Sequence, residues 1–360
     1  MSKGDTSLIL GAAGQIGTDL VSTLRELNGG SKVIAADVKE QSGFLSESGP
    51  FLKLDVLDAP AVAEAITKNN VKEVYLLAAL LSATAEQKLK TAWRLNMEGL
   101  FILLDIAKEK KDLKIFWPSS IAVFGPSTPR VNTPQFCVKD PSTVYGISKL
   151  AGEHWGEYYF NKFGVDIRSI RYPGLISYKA LPGGGTTDYA VDIYHQALDK
   201  GSYTCFLKED TALPMMYMPD AIRATLELMN APTQEVKIRS SYNLGGISFT
   251  PKEIATEIKK HIPEFTINYA PDFRQDIANS WPKSIDDSRA QEDWGWKCKY
   301  DLSSMTIDML KHLKAPWENQ KRQKKLDILR LREKISKAKR ERSEEKKLRR
   351  KESEKKANEP

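Results

Sequence analysis

Ser7-Leu8-Ile9-Leu10-Gly11-Ala12-Ala13-Gly14-Gln15-Ile16-Gly17 decides the fold. Its first four residues are a short apolar strand. From Ile16 onward, Leu20, Val21 and Leu24 recur on one face of a helix. A glycine-rich turn between such a strand and helix is a dinucleotide fingerprint. Gly11 permits the tight turn, Gly14 lets a pyrophosphate approach the backbone, and Gly17 lets helix and strand pack closely. A second apolar strand at 32–36 ends in Asp37, twenty residues past Gly17. A carboxylate there accepts hydrogen bonds from both ribose hydroxyls of NAD and repels the extra phosphate of NADP. Singly, a glycine turn and an aspartate are ordinary; strand, turn, helix, strand and acid in this order specify an α/β chain, a Rossmann doubly wound parallel sheet.

The alternation continues outward. Strands are expected at 51–54, 73–77, 114–117 and 166–171, and helices at 15–26, 61–68, 91–108 and 144–163. Beyond Arg171 the pattern loosens. Pro173, Pro182, Gly183, Gly184, Gly185 and Pro214 punctuate it and suggest loops that close over a substrate. A helix at 251–261 and a strand at 266–269 follow. This divides the chain into an NAD-binding Rossmann core (1–172, with later returns to it), a smaller, mainly substrate-binding region (173–316) and a basic charged tail (317–360), disordered or helical by composition.

Composition narrows the classes. No 18-residue apolar run occurs in the 360 residues, so no membrane span is expected. The first strand comes within seven residues of the start, so a cytoplasmic protein without a targeting peptide is expected, the mitochondrial matrix being the alternative. Cys137, Cys205 and Cys298 stand apart, as reduced thiols do. The four histidines have no zinc-ligand spacing, so no metal is expected. Residues 318–360 hold 18 Lys or Arg against 9 Asp or Glu, a net of +9, which leaves the preceding 317 residues at −2 of the chain's +7. The basicity therefore belongs to the tail. With no aromatic residue there for base stacking, nucleic acid is not an expected partner.

Tyr145-Gly-Ile-Ser-Lys149 sets a phenol and an ammonium four residues apart, on one face of a helix. A lysine charge close by favours the phenolate and lowers a tyrosine pKa by roughly 1–3 units, so the pair is expected to exchange a proton with a substrate hydroxyl. Other residues fall at the carboxyl ends of strands, where open α/β sheets bind ligands. Asp55 and Val56 are placed to meet the adenine. Leu77, Ala78 and Ala79 let a cofactor lie close to the backbone, Ser120 ends the fifth strand, and Tyr172 walls a nicotinamide. Asn96, within a helix, is expected to bond main chain and help place the lysine.

With these motifs the chain resembles the extended short-chain dehydrogenase/reductase family, through Gly11-x-x-Gly14-x-x-Gly17, Ser120-Ile-Ala-Val-Phe-Gly125 and Tyr145-x-x-x-Lys149. The resemblance narrows to the short-chain L-threonine 3-dehydrogenases over about residues 8–313. It is carried by Pro118-Ser-Ser-Ile-Ala-Val-Phe-Gly-Pro126, Arg171-Tyr-Pro-Gly-Leu-Ile-Ser177, Gly183-Gly-Gly-Thr-Thr-Asp-Tyr-Ala190, Leu213-Pro-Met-Met-Tyr217 and Asp276-Ile-Ala-Asn-Ser-Trp-Pro282. It implies NAD-dependent oxidation of L-threonine to 2-amino-3-oxobutanoate and a homodimer. It implies Tyr145 as base, Lys149 tuning it and bonding the nicotinamide ribose, and Ser120 orienting the reacting oxygen. The cofactor would rest on Gly11, Gly14, Gln15, Ile16, Gly17, Asp37, Asp55, Val56, Leu77, Ala78, Ala79, Asn96 and Tyr172. Ser82, Gly185, Thr186, Thr187 and Trp281 would hold the substrate.

Two other readings stand beside it. A nucleotide-sugar epimerase or dehydratase shares fold and trio, but dehydratases of this kind carry an acidic pair where Ile121-Ala122 stands. An NAD-sensing scaffold docking through the tail is the third; such proteins often lose the tyrosine or lysine, and both are present.

Overall fold

The computed structural model describes residues 6–183 and 185–315, with 317 and 319. Most of the basic tail, and Gly184, lie outside them. The chain divides into two units between Met309 and Leu310, and every candidate site residue belongs to the first. The order opens β1 (Thr6–Leu10), α1 (Gln15–Asn28), β2 (Val33–Asp37), α2 (Phe44–Glu47), β3 (Phe51–Lys53), α3 (Ala59–Lys68) and β4 (Val71–Leu76). It continues α4 (Ser82–Gln87), α5 (Leu89–Glu109), β5 (Lys114–Phe116), β6 (Ser119–Ser120), α6 (Val144–Phe163), β7 (Asp166–Arg168) and β8 (Ile170–Tyr172).

Six strands form one parallel sheet in the order β3-β2-β1-β4-β5-β7. The chain starts at β1, runs to one edge, then crosses to the other side through β4. That reversal opens a crevice at the carboxyl ends of β1 and β4. Successive residues of β1 point to opposite faces, and both faces are covered. Ile9 packs with Leu20, Val21 and Leu24 of α1, while Leu8 and Leu10 pack with Val62 and Ile66 of α3 and Leu100 and Leu104 of α5. Burying a side chain of this size contributes roughly 1.5–3 kcal/mol, which is why the strands read as unbroken apolar runs rather than alternating ones.

The segment expected as one strand at 166–171 is two. β7 pairs with β5 in the main sheet, whereas β8 pairs with β6 and β12 (Tyr242–Asn243). The fifth strand is likewise split at Pro118, which has no N–H to donate to a ladder.

The second half is more regular than its prolines suggest. It holds β9 (Gly174–Ile176), α7 (Tyr189–Lys200), β10 (Ser202–Cys205), β11 (Leu213–Tyr217) and α8 (Met218–Asn230). After β12 come β13 (Ile247–Phe249), α9 (Pro251–His261), β14 (Thr266–Tyr269), α10 (Arg274–Ser280) and α11 (Ser288–Trp294). Pro214 sits in β11 opposite Ser248, one residue before the pairing with β9 begins at Met215, and Pro219 occupies the first turn of α8. Both are places where a missing N–H costs little. No helix among the described residues is long and apolar enough to cross a membrane.

Candidate active site

The crevice is a two-lobed groove. One lobe, about 560 Å³, lies among Asp37, Asp55, Val56, Ala78, Arg94 and Leu95. The other, about 350 Å³, reaches from Gln15 and Ile16 to Ser120, Tyr145, Lys149 and Thr186. Gly11, Gly14, Leu77 and Ala79 line both.

The glycine turn is sterically enforced. Gly11 has φ +89°, and a Cβ there would lie 2.6 Å from the Ala78 nitrogen. A Cβ on Gly17 would lie 2.4 Å from the Gly11 carbonyl oxygen. Gly14 differs: its Cβ would meet only the Gly11 carbonyl oxygen, at 3.4 Å. Gly14 also caps α1 without any side-chain hydrogen bond, so first-turn N–H groups of α1 have no side-chain partner and present the positive end of the helix dipole to the groove. The Asp37 carboxylate accepts from the Ala13 and Lys39 N–H groups at 3.1 and 3.3 Å, bracing the turn from the end of β2. An open helix N-terminus, small residues and an acid at the second strand suit a dinucleotide. Asp55, exposed on the same rim, accepts from Leu57 N–H at 2.9 Å.

The reacting groups come from two elements. Thr143 caps α6, accepting from Gly146 N–H at 3.0 Å, and the next residue but one is Tyr145. The start of α6 is pressed onto the 3-10 turn (Ile121–Val123) that follows β6, since a Cβ on Gly146 would fall 2.1 Å from the Ala122 carbonyl oxygen. Tyr145 and Ser120 thereby share a side-chain hydrogen bond. Lys149 is 3% exposed; it donates to the Pro118 carbonyl at 2.6 Å, lies 4.4 Å from the Trp117 ring centre and 5.5 Å from that of Tyr145.

The expected electrostatics of this pair need correcting. Burial pushes Tyr145 up to about 12, with the Ser120 hydrogen bond working against it. Burial pushes Lys149 down to about 7, opposed by the Glu153 carboxylate. Burial dominates both groups, neither shift carries a contribution from the other, and the lysine is turned to a carbonyl rather than to the phenol. A positive charge or a further donor brought to the phenol would lower its pKa.

Asn96 stands behind the groove, not in its wall. Its amide holds Leu80 N–H and C=O at 2.9 and 3.2 Å and donates to Ser148 at 3.2 Å, beside Lys149 in α6 rather than to the lysine itself. Tyr172 lines the groove, but its side chain lies in the core, with its ring 6.3 Å from that of Phe116 and its hydroxyl buried against Thr225. At the substrate end, Thr186 is 3% exposed, and Thr187, Gly185 and Trp281 complete the wall. The Gly183 and Gly185 N–H groups donate to the Asp188 carboxylate at 2.6 and 2.8 Å. The side chain of Ser82, at the start of α4, lies outside what the structure describes.

A buried charge network under the site has no motif in the sequence. Glu153, fully buried, takes two hydrogen bonds from Arg171 at 2.8 Å and one from Ser119 at 2.6 Å. Arg171, 1% exposed, also donates to Asn243 and the Gln135 carbonyl at 2.9 and 3.1 Å. Glu153 stands one turn past Lys149 and Ser119 directly precedes Ser120, so the network ties both to β8 and β12. The i+4 spacing of Lys149 and Glu153 was the one available signal.

A Rossmann sheet presenting Ser, Tyr and Lys at a groove suited to a dinucleotide is common to dehydrogenases, epimerases and dehydratases, and the relatives place this chain among the oxidoreductases. The chain belongs to the NAD dependent epimerase/dehydratase family, whose model matches residues 7–245. Among curated relatives, the mitochondrial L-threonine 3-dehydrogenase of Bos taurus is 46% identical over 304 residues, 84% of this chain and 81% of that one. Among solved structures, the holo form of the GalE-like L-threonine dehydrogenase from Cupriavidus necator is 53% identical with a TM-score of 0.84, covering 86% of this chain and 99% of that one. A monomeric L-threonine 3-dehydrogenase of metagenomic origin, in its apo form, is 47% identical with a TM-score of 0.82, covering 86% and 99%.

Proposed function

We propose that the chain oxidises L-threonine at its 3-hydroxyl to 2-amino-3-oxobutanoate, with NAD as acceptor. The observation that carries this reading is the 350 Å³ lobe, in which Ser120, Tyr145 and Lys149 face Thr186, Thr187 and Trp281. Such a lobe suits a nicotinamide and a small polar substrate better than a nucleotide sugar. The names of the Bos taurus and Cupriavidus necator relatives agree with it.

The first turn of α1 and the Asp37 carboxylate would hold the dinucleotide, which when bound supplies the hydride acceptor and a cationic ring. Tyr145, as phenolate, takes the proton from the β-hydroxyl. Ser120, already hydrogen-bonded to Tyr145, aims the reacting oxygen at it and supports the developing carbonyl. Lys149, four residues along the same helix face and donating to the Pro118 carbonyl, would favour the phenolate by its charge. Thr186 and Thr187 offer hydroxyls that both donate and accept, the pairing an ammonium and a carboxylate require.

The test is NADH formation from L-threonine by the purified protein. Turnover is expected with NAD and, because Asp37 repels a 2′-phosphate, far less with NADP; Asp37→Ala should narrow that gap. L-serine, lacking one methyl, should react roughly tenfold or more worse. No NADH from L-threonine at any concentration, with UDP-sugars turning over instead, overturns the assignment.

Assembly is a further part of the proposal. Trp93 on α5 and Ile147, Trp155 and Tyr158 on α6 are 40–48% exposed, and Trp155 packs edge-on to Phe101 at 4.9 Å across the two helices. An aromatic face of this kind suits a two-fold copy of itself. Light scattering at micromolar concentration should give twice the chain mass of 40.5 kDa; a monomer mass rules the dimer out.

A further inference from the structure

The loop that carries Thr186 and Thr187 is fastened at its base to the helix that faces the dinucleotide. It leaves β9 after Ile176 and re-enters regular structure at Tyr189, a compact surface loop whose ends lie close together. The returning end is pinned on the departing side, since a Cβ on Gly174 would lie 2.6 Å from Thr187 Cγ2. In between, Leu181, Pro182, Gly183 and Gly185 line the reactive lobe.

The departing end is held by Asp19, in the second turn of α1. Lys179 Nζ lies 2.7 Å from Asp19 Oδ1, and Ser177 Oγ donates to Oδ2 at 3.3 Å. Ser177 Oγ also accepts from Lys179 N–H at 3.1 Å, closing the base on itself. Asp19 is 8% exposed and Ser177 1%, whereas the Lys179 side chain is 39% exposed, so the carboxylate is sheltered on its Ser177 side while the ammonium meets it from the water side. Neither Asp19 nor Lys179 lines the reactive lobe. Asp19 shares α1 with Gly14, Gln15 and Ile16, which do line it.

We propose that Asp19 and Lys179 are positioning residues. Their ion pair transmits the order of α1 to the substrate loop, so that a dinucleotide seated on α1 holds Thr186 and Thr187 over the reactive lobe. The physical basis is entropic: a loop clasped to a helix that a ligand has stiffened costs less to order when the second ligand arrives, which is positive coupling between the two sites. The substrate half of this inference rests on the proposed L-threonine oxidation.

The test uses Asp19→Asn, Lys179→Met and the reversed pair Asp19→Lys/Lys179→Asp in the full chain. Steady-state kinetics and hydrogen exchange of 178–188, with and without NAD, are the readouts. Each single variant should raise KM for L-threonine about fivefold, with kcat and NAD affinity each within about twofold, and NAD should cease to slow exchange in the loop. The reversed pair should recover most of both losses. Unchanged KM with NAD-dependent protection intact overturns the proposal, and so does a reversed pair as impaired as the singles. The exchange measurement needs no substrate. A wild-type protein that ignored L-threonine would therefore sink the proposed activity, while the clasp would still be judged by the exchange.

Discussion

Tyr145→Phe removes turnover by roughly 10³-fold or more while leaving NAD affinity within about twofold. The substitution deletes one oxygen and keeps the ring that faces the groove. In the proposed mechanism the phenol, with Ser120 beside it, is the proton acceptor, and the alternatives are poor. Lys149 is committed to the Pro118 carbonyl at 2.6 Å, and Ser120 holds no proton-accepting charge. With no acceptor, the hydroxyl proton and the hydride cannot leave together. NADH absorbance measures the first effect, and quenching of protein fluorescence by NAD the second. A loss below tenfold would show that another group takes the proton. A matching loss of NAD binding would show that the hydroxyl serves the cofactor instead.

Glu153→Ala should destabilise the fold by about 3–5 kcal/mol, the cost of leaving a buried charge without its partner. Arg171 is 1% exposed, and the change strips it of its carboxylate. Ser119 loses its acceptor at the same time. The remaining Asn243 and Gln135 contacts bond the guanidinium but do not neutralise it. The pH dependence follows from the same pair. Burial pushes the Glu153 carboxyl up, but Arg171, Lys139 and Ser119 outweigh burial, and the net shift is downward. A carboxylate held below its unfolded value stabilises fully above that value, near ~4.3, and the contribution fades as pH falls through the folded value. Urea unfolding at neutral pH and at pH 4 should therefore show the wild-type advantage over Glu153→Ala shrinking in acid. A loss under about 1 kcal/mol at neutral pH, or an advantage constant with pH, contradicts the account.

Much of the site was legible because it is local. The turn from Gly11 to Gly17, the acid at Asp37 and the Tyr145–Lys149 spacing are each set within one strand, turn or helix, and the structure brings them to one groove. The prolines of the second half misled for the opposite reason. Whether Pro214 breaks a strand depends on which side of β11 is paired, and that lies in β9 and β13, far along the chain.

The sequence by itself determined the Rossmann core, the dinucleotide groove and the trio of Ser120, Tyr145 and Lys149. Backbone sterics and side-chain periodicity act over a few residues, so their signatures survive in one dimension. Only the tertiary structure decided where charges and donors are satisfied. Glu153 meets Arg171 and Arg171 meets Asn243 across 18 and 72 residues of chain. Lys149 turns to a carbonyl 31 residues away, and Asp188 takes the N–H groups of Gly183 and Gly185. Desolvation, which pushes Tyr145 up and Lys149 down, depends on everything packed around a group. Spacing along the chain does not encode that, so the chemistry could be read from the sequence while its resting electrostatics could not.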